Sequence, residues 1–109
     1  MSCRTAYIEH KDWMKDHLRI PEKAQNYLDV AIEEYEGDGD IEAFLLALRN
    51  VADAQGGIGK LAKRTGLNRE HLYRALSEKG NPQLDTVDKI LHGLGFRLSV
   101  EPIDAEQAR

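Results

Sequence analysis

The chain has 109 residues and a formal net charge of −4, with 15 Lys or Arg, 19 Asp or Glu, four His and one Cys. A chain of this length buries enough surface for a single core without disulfides or a structural metal. Because Cys3 has no second cysteine to pair with, and no apolar run approaches the roughly 20 residues that span a bilayer, we expect one cytoplasmic domain without a signal peptide or a membrane span.

The first half of the chain is predicted to be helical. Residues 12–18 form a short helix that stops before Pro21, and Pro21 suits the first position of the next helix. The run 36–40 then breaks the pattern, and Asp40 can cap a further helix that ends at Gly56-Gly57. Both longer helices carry apolar residues at the spacing of one helical face. These are Ala24, Tyr27, Leu28, Ala31, Ile32 and Tyr35 in the first, and Ile41, Phe44, Leu45, Leu48, Val51 and Ala52 in the second.

Two short helices are predicted next, over residues 58–65 and 69–77. Asn68 is the expected N-cap of the second one, and Leu67 and Leu72 then occupy the two positions of a hydrophobic staple. The sequence therefore specifies the turn between these helices locally.

A last helix and a strand complete the pattern. Gly80-Asn81-Pro82 stops the preceding helix, Asp85 can cap the last helix, and Gly95 is its expected end. After Gly95 the apolar period changes from 3.6 to 2, which predicts a strand over residues 96–100. A lone strand needs a partner, which can be the same strand of a second copy, the weak strand candidate at residues 5–8, or another protein.

Charge is distributed unevenly along the chain. Residues 1–54 carry a net charge of −6 and residues 81–109 carry −2, whereas residues 55–80 carry +4. The overall charge argues against a protein that coats itself in nucleic acid, but a short basic segment is typical of a localised phosphate-binding face.

The basic segment coincides with the two short helices, whose spacing predicts a helix-turn-helix. Two helices that cross steeply need a small residue where they touch and a turn residue that tolerates positive φ, which Ala62 and Gly66 provide. One side of the second helix could then lie in a major groove and read base edges. The residues on that side are Asn68, Arg69, Glu70, Tyr73, Arg74 and Ser77. The alternative is a buried helical hairpin whose charges are only solvated.

Phosphate contacts are assigned to Lys60, Lys63 and Arg64 from their charge and helix position. The sequence patterns of other functional sites are incomplete. The glycine-rich run 56–60 departs from a Walker loop at two required positions, and the run beginning at residue 38 lacks the Gly and Glu of a calcium loop. His10 and His17 have no third ligand, and no catalytic arrangement has a supporting signature. We therefore expect no enzymatic activity, no metal and no cofactor.

Several stretches of the chain match a known family together. They are FLLALRNVA at residues 44–52, GLNREHLYRALS at 66–77, GNP at 80–82 and LGFRL at 94–98. They resemble the prophage-type addiction-module antidote proteins, which are HigA-related helix-turn-helix antitoxins. A weaker likeness over residues 21–28 extends the resemblance to about four-fifths of the chain.

The resemblance implies an all-α, five-helix, lambda-repressor-like helix-turn-helix domain with a short C-terminal β-strand. It also implies a cytoplasmic antitoxin that neutralises a small, basic RelE/ParE-like toxin and represses its own operon by binding double-stranded operator DNA, and such proteins usually act as homodimers. By matching motif positions, Arg69, Glu70, Tyr73 and Arg74 are the groove-facing residues. Ile58 stands where the broader repressor pattern often has a Gln that contacts the DNA backbone.

The expected division has an acidic helical segment at residues 1–38, a helix-turn-helix domain at 39–101 and a polar tail at 102–109. The resemblance also implies that the toxin is usually an mRNA endonuclease, which needs a basic substrate site. We therefore place the toxin contact in the acidic segment. Two other functions remain as alternatives: a stand-alone prophage repressor, and a helical adaptor that binds a basic protein without touching DNA. An adjacent gene for a small basic protein would favour the antitoxin.

Overall fold

A computed structural model describes residues 13–103 of the chain. Within this range the chain forms six helices and no strand, in agreement with an all-α fold. We number them α1 at residues 13–18, α2 at Pro21–Asp38, α3 at Glu42–Ala54, α4 at Ile58–Thr65, α5 at Arg69–Ala75 and α6 at Leu84–Gly93. No helix in the described residues is long and apolar enough to cross a membrane.

The structure has one helix more in this range than the five that the resemblance implies. The separation of α1 from α2 agrees with the stop predicted before Pro21. Ile20 is extended, with φ −84° and ψ 119°, and Pro21 begins α2. A residue that precedes proline is pushed out of the helical region by the proline ring, so the helix must stop and restart there. The side chain of Arg19 braces this junction, since its Nε donates to the carbonyl oxygen of Ala54 at 3.3 Å.

The break after α2 falls later than predicted. Gly37 is still helical, and α2 ends at Asp38, where Gly39 adopts φ 74° and donates its amide to the carbonyl of Tyr35. A left-handed residue just after the last turn is a common helix stop, and glycine accepts it without strain. Asp40 is not the N-cap of α3, which is Ile41, but its carboxylate accepts the amide of Glu42 in the first turn at 3.0 Å.

The apolar stripes of α2 and α3 pack against each other in one core. The buried residues of α2 are Ala24, Leu28 and Ala31, and those of α3 include the predicted Phe44, Leu45, Leu48, Val51 and Ala52. Asn50 on α3 donates to the hydroxyl of Tyr27 on α2 at 2.9 Å. The core therefore includes residues from both sides of the functional boundary expected at residue 38.

The turn between α4 and α5 forms as the sequence predicts. Gly66 ends α4 with φ 77°, and the side-chain oxygen of Asn68 accepts the amide of His71 at 2.7 Å as the N-cap of α5. Leu72 lies in the core cluster and Leu67 is partly buried against it, which agrees with their staple positions. The turn between α4 and α5 is thus fixed by local contacts.

The packing of α4 against α6 depends on a glycine. A Cβ on Gly93 would lie 2.7 Å from both Leu61 Cδ1 and Thr65 Cγ2. Nearby, Gln55 donates to the carbonyl of Leu94 at 2.9 Å, which ties the end of α3 to the end of α6.

Two predicted helix ends differ from the structure. The helix predicted over 69–77 ends at Ala75, and a tight turn follows it. In this turn the Ser77 hydroxyl donates to the carbonyl of Arg74, and the Ser77 carbonyl accepts the amide of Gly80. The last helix begins at Leu84, so Asp85 lies inside its first turn and does not cap it. The Asp85 carboxylate instead accepts the amide of Thr86 at 2.9 Å.

The predicted C-terminal strand is wrong for the single chain. Residues 96–103 form no regular secondary structure, and Leu98, Val100 and Ile103 are exposed. A strand is stabilised by ladder hydrogen bonds to a neighbouring strand, and none is present among residues 13–103.

Some sequence-based expectations fall on residues outside the described range. They concern the strand candidate at residues 5–8, Cys3, His10, the first residue of the predicted helix 12–18, and the tail from residue 104 onward.

Candidate nucleic-acid interface

The predicted base-reading residues lie on one exposed surface around α5. Arg69, Glu70, Tyr73 and Arg74 are all exposed. The first and last residues of the predicted set, Asn68 and Ser77, instead make hydrogen bonds to the backbone at the ends of α5. Asn68 uses its side-chain oxygen as the N-cap, and Ser77 is half-buried beyond the helix end, where its hydroxyl donates to the Arg74 carbonyl at 2.9 Å. These two residues therefore shape the ends of α5.

Arg69 reaches across to the neighbouring helix. A Cβ on Gly59 would lie 2.5 Å from Arg69 Nη2 and 3.2 Å from its Cζ. The guanidinium thus fills the space that a side chain at position 59 would occupy. The side chain of a residue at the start of a helix leans toward the helix N-terminus, so Arg69 points from α5 back toward α4.

The three phosphate candidates on α4 do not share one face. Lys63 follows Gly59 by one helical turn, so it lies on the side of α4 where the Arg69 guanidinium rests. Lys60 folds back over the preceding turn, since its Cδ would be 2.5 Å from a Cβ on Gly56. Arg64 is turned toward α6.

The guanidinium of Arg64 is occupied by contacts within the chain. Its Nη1 donates to the side-chain oxygen of Gln55 at 3.2 Å and to the carbonyl of Gly93 at 3.4 Å. Gln55 in turn bonds the carbonyl of Leu94. Arg64 thus belongs to a polar junction between α3, α4 and α6, although its side chain remains exposed.

Tyr73 does not pack its ring into the core of the helix pair. Its side chain is 49% exposed, and the Arg49 Cζ lies 5.8 Å from the ring centroid. This is within the distance at which a guanidinium is attracted to the face of an aromatic ring. Arg49 therefore brings a further positive charge from α3 to the α5 surface, and it was not among the predicted residues.

The position that departs from the repressor pattern faces the interior. Ile58 is buried against the core at the start of α4, so its side chain makes no contact from the surface. Within residues 13–103 no group of three or more His, Cys, Asp or Glu could hold a metal ion. The exposed groups on this surface are guanidinium and ammonium cations, the Tyr73 hydroxyl and the Glu70 carboxylate, which can bind phosphate oxygens and base edges.

Comparison with known proteins assigns the chain to a family. The profile of a family described as "Probable addiction module antidote protein" matches residues 9–102. The chain belongs to this antidote family. It is also 36% identical over 86 residues to an uncharacterized protein of Haemophilus influenzae, an alignment that covers 79% of this chain and 84% of the relative. No solved structure matches the chain significantly.

Membership in the antidote family implies a toxin as a partner of this protein. The family resemblance inferred from the sequence is thereby confirmed at the level of an addiction-module antidote.

Sequence reasoning missed two residues of the antidote's α4–α5 surface. Arg49 is the one basic residue in the α3 sequence, a signal that could have drawn attention to it. Gly59 gives a weaker signal: it is a glycine inside a predicted helix, where glycine is unfavourable unless packing requires it.

Proposed function

We propose that this antidote-family protein neutralises a RelE/ParE-like toxin and represses its own operon by binding operator DNA. The proposed DNA-binding unit is a lambda-repressor-like helix-turn-helix formed by α4 and α5. The observation that carries the DNA-binding part is the exposed cationic surface around α5, which includes Arg69, Arg74 and Arg49 and follows a turn with a side-chain N-cap.

The exposed side of α5 suits a DNA groove in two ways. In a helix-turn-helix, the second helix lies in the major groove while the first helix crosses the sugar-phosphate backbone. Here the second helix exposes Tyr73 and Arg74 in its last turn, and the first helix exposes Lys63. An arginine can present two parallel donors to guanine O6 and N7, whereas a lysine acts as a point charge.

The acidic face of α2 supports a toxin contact in the first part of the chain. Asp29, Glu33 and Glu34 are exposed on α2, and Val30 among them is 54% exposed. An apolar side chain surrounded by carboxylates is complementary to a basic protein surface with an apolar centre, and such complementarity accelerates association and selects the partner. This surface would repel DNA phosphates, so toxin and operator would use different faces.

The C-terminal segment at residues 96–103 supports a homodimer. Leu98, Val100 and Ile103 expose apolar side chains, with Val100 98% exposed. Helix-turn-helix proteins commonly bind two half-sites as two-fold dimers, and a second copy could cover these side chains. The proposal places the dimer contact beyond α6, away from α5.

A binding experiment tests the DNA-binding proposal. Wild-type protein is titrated against a duplex from the promoter of its own operon and against a scrambled duplex of the same composition. We expect the promoter duplex to bind more tightly, and Arg74→Ala to cost about 1–3 kcal/mol on this duplex with little change on the scrambled one. Equal affinity of wild type for both duplexes would remove operator recognition from the proposal.

Co-expression tests the antidote proposal. The protein is tagged and co-expressed with the product of the adjacent gene, and growth and co-purification are measured. We expect the adjacent product to arrest growth alone, to be harmless together with this protein, and to co-purify with it. An adjacent product that stays toxic and unbound would favour the stand-alone repressor.

A further inference from the structure

Gly59 lies in α4 and has a backbone conformation that other residues can also adopt. Its φ is not positive, unlike those of Gly56, Gly57 and Gly66 nearby. Glycine inside a helix is less favourable than alanine, because it loses more conformational freedom on folding. The absence of a side chain at position 59 must therefore serve a contact and not a backbone conformation.

The contact is with Arg69. Three atoms of its guanidinium group, Nη2, Cζ and Nε, lie 2.5 to 3.3 Å from the place of a Cβ on Gly59. Because these atoms are the far end of a flexible side chain, a Cβ there would move the guanidinium without disturbing the core. Among the described residues, no carboxylate forms an ion pair with Arg69. The guanidinium of Arg69 therefore lies against α4 because it fits the space beside Gly59. Its N–H donors remain available to a ligand.

We propose that Gly59 is a positioning residue that holds the Arg69 guanidinium against α4, so that Arg69 contacts a DNA phosphate and not a base edge. This inference rests on the proposed DNA binding. The first helix of a helix-turn-helix is the one that crosses the DNA backbone, and Arg69 lies against that helix although it belongs to the second. Lys63, on the same side of α4, supplies a second charge for the same strand.

This assignment divides the α5 surface by role. Arg74 lies five residues further along α5 and is exposed, and no glycine of α4 has the Arg74 side chain against it. Arg69, which sequence reasoning placed with Arg74 as a base reader, instead belongs with the backbone-binding cations. A phosphate contact contributes equally on any DNA sequence, whereas a base contact contributes only on the operator.

A double-mutant cycle on a random-sequence duplex tests the assignment. Wild type, Gly59→Ala, Arg69→Ala and the double variant are titrated at several salt concentrations. We expect Arg69→Ala to weaken binding roughly three- to tenfold at moderate salt and to lower the salt slope by about one. Gly59→Ala should weaken binding in the same direction by a smaller factor, and it should have no effect when Arg69 is already Ala. Arg69→Lys should keep most of the salt slope, since a lysine also neutralises a phosphate.

Gly37→Ala is the matched control. Gly37 is also helical, and a Cβ there would meet nothing within 4 Å. Both substitutions add one methyl to a helix, so both should leave the circular dichroism spectrum unchanged, but only Gly59→Ala should alter DNA binding. Unchanged binding by Gly59→Ala, or an effect of Gly59→Ala that persists without Arg69, would overturn the positioning role.

The assignment and the proposed function fail in different ways. If wild type bound the random duplex without any preference for the promoter duplex, operator recognition would fail while the cycle still tested Arg69. If Arg69→Ala weakened only the promoter duplex, Arg69 would be a base reader and the phosphate assignment would fail. If wild type bound neither duplex, both would fail.

Discussion

Arg49 on α3 and Tyr73 on α5 form a cation–π contact, with the guanidinium carbon 5.8 Å from the ring centroid. The contact joins α3 to the proposed DNA-binding surface on α5. It also keeps the Tyr73 ring at the surface, where its hydroxyl is available to a phosphate.

The Arg49–Tyr73 contact predicts a measurable coupling in stability. Because the ring is half-exposed, we expect the pair to contribute about 0.5–1 kcal/mol to the free energy of unfolding. Urea unfolding of Arg49→Ala, Tyr73→Ala and the double variant gives this coupling energy. As a control, Arg97→Ala, at an exposed arginine beyond the last helix, should be additive with Tyr73→Ala. If the effects of the Arg49 and Tyr73 substitutions are fully additive, the contact contributes nothing to the free energy of unfolding.

Lys63 and Arg64 are adjacent in sequence and should behave differently. Lys63 shares the side of α4 on which Arg69 rests, so Lys63→Ala should weaken promoter and scrambled duplexes alike and lower the salt slope by about one. Arg64 donates to Gln55 and Gly93, so Arg64→Ala should lower the free energy of unfolding by about 0.5–1.5 kcal/mol and change the salt slope less. Salt titrations and urea unfolding of both variants check this, and a reversed pattern would contradict the orientation of the two side chains.

Gly93 should be intolerant of a side chain. A Cβ there would press on Leu61 and Thr65 across the α4–α6 contact, and overpacking of a core typically costs about 1–3 kcal/mol. We expect Gly93→Ala to lower the free energy of unfolding in spite of the better helix propensity of alanine. Gly37→Ala, the control in open space, should raise it by about 0.5–1 kcal/mol. Equal stabilisation by both substitutions, measured by thermal unfolding, would show that α6 can move away from α4 freely.

The acidic face of α2 should determine toxin affinity. Removing residues 1–38 would also remove the core residues Leu28 and Ala31, so point substitutions test the toxin contact more cleanly than a truncation. Asp29→Lys and Glu33→Lys reverse two charges at exposed positions of α2, and lysine is a good helix former, so the fold should be retained. We expect binding of the adjacent gene product to fall at least tenfold by calorimetry, while promoter binding persists. Glu101→Lys, at an exposed position beyond α6, is the control and should bind the adjacent product normally.

The C-terminal segment at residues 96–103 should control the oligomeric state. Leu98→Pro and Val100→Asp both disturb this segment, which lies outside all six helices. We expect each variant to keep its helical circular dichroism signal and to become monomeric by light scattering. Leu84→Asp, at another exposed leucine, should leave the dimer intact. A dimer mass that persists in both segment variants would place the dimer contact elsewhere.

Much of the fold could be predicted from the sequence because its signals are local. The N-cap of α5 acts over three residues, from Asn68 to the amide of His71, and Gly66 ends α4 within one turn. The apolar stripes of α2 and α3 repeat every three or four residues, so the faces that meet in the core can be read without knowledge of the packing. The candidate surface on α5 follows from the same periodicity.

The direction of the long charged side chains required the tertiary structure. Arg64 and Arg69 both belong to the basic segment, yet one turns to the end of α6 and the other to Gly59 on α4. A side chain with several rotatable bonds takes its direction from the groups packed around it, and these come from helices distant in sequence. The alternation at residues 96–100 did not predict the structure of the single chain, because a strand exists only where a second strand supplies its hydrogen bonds.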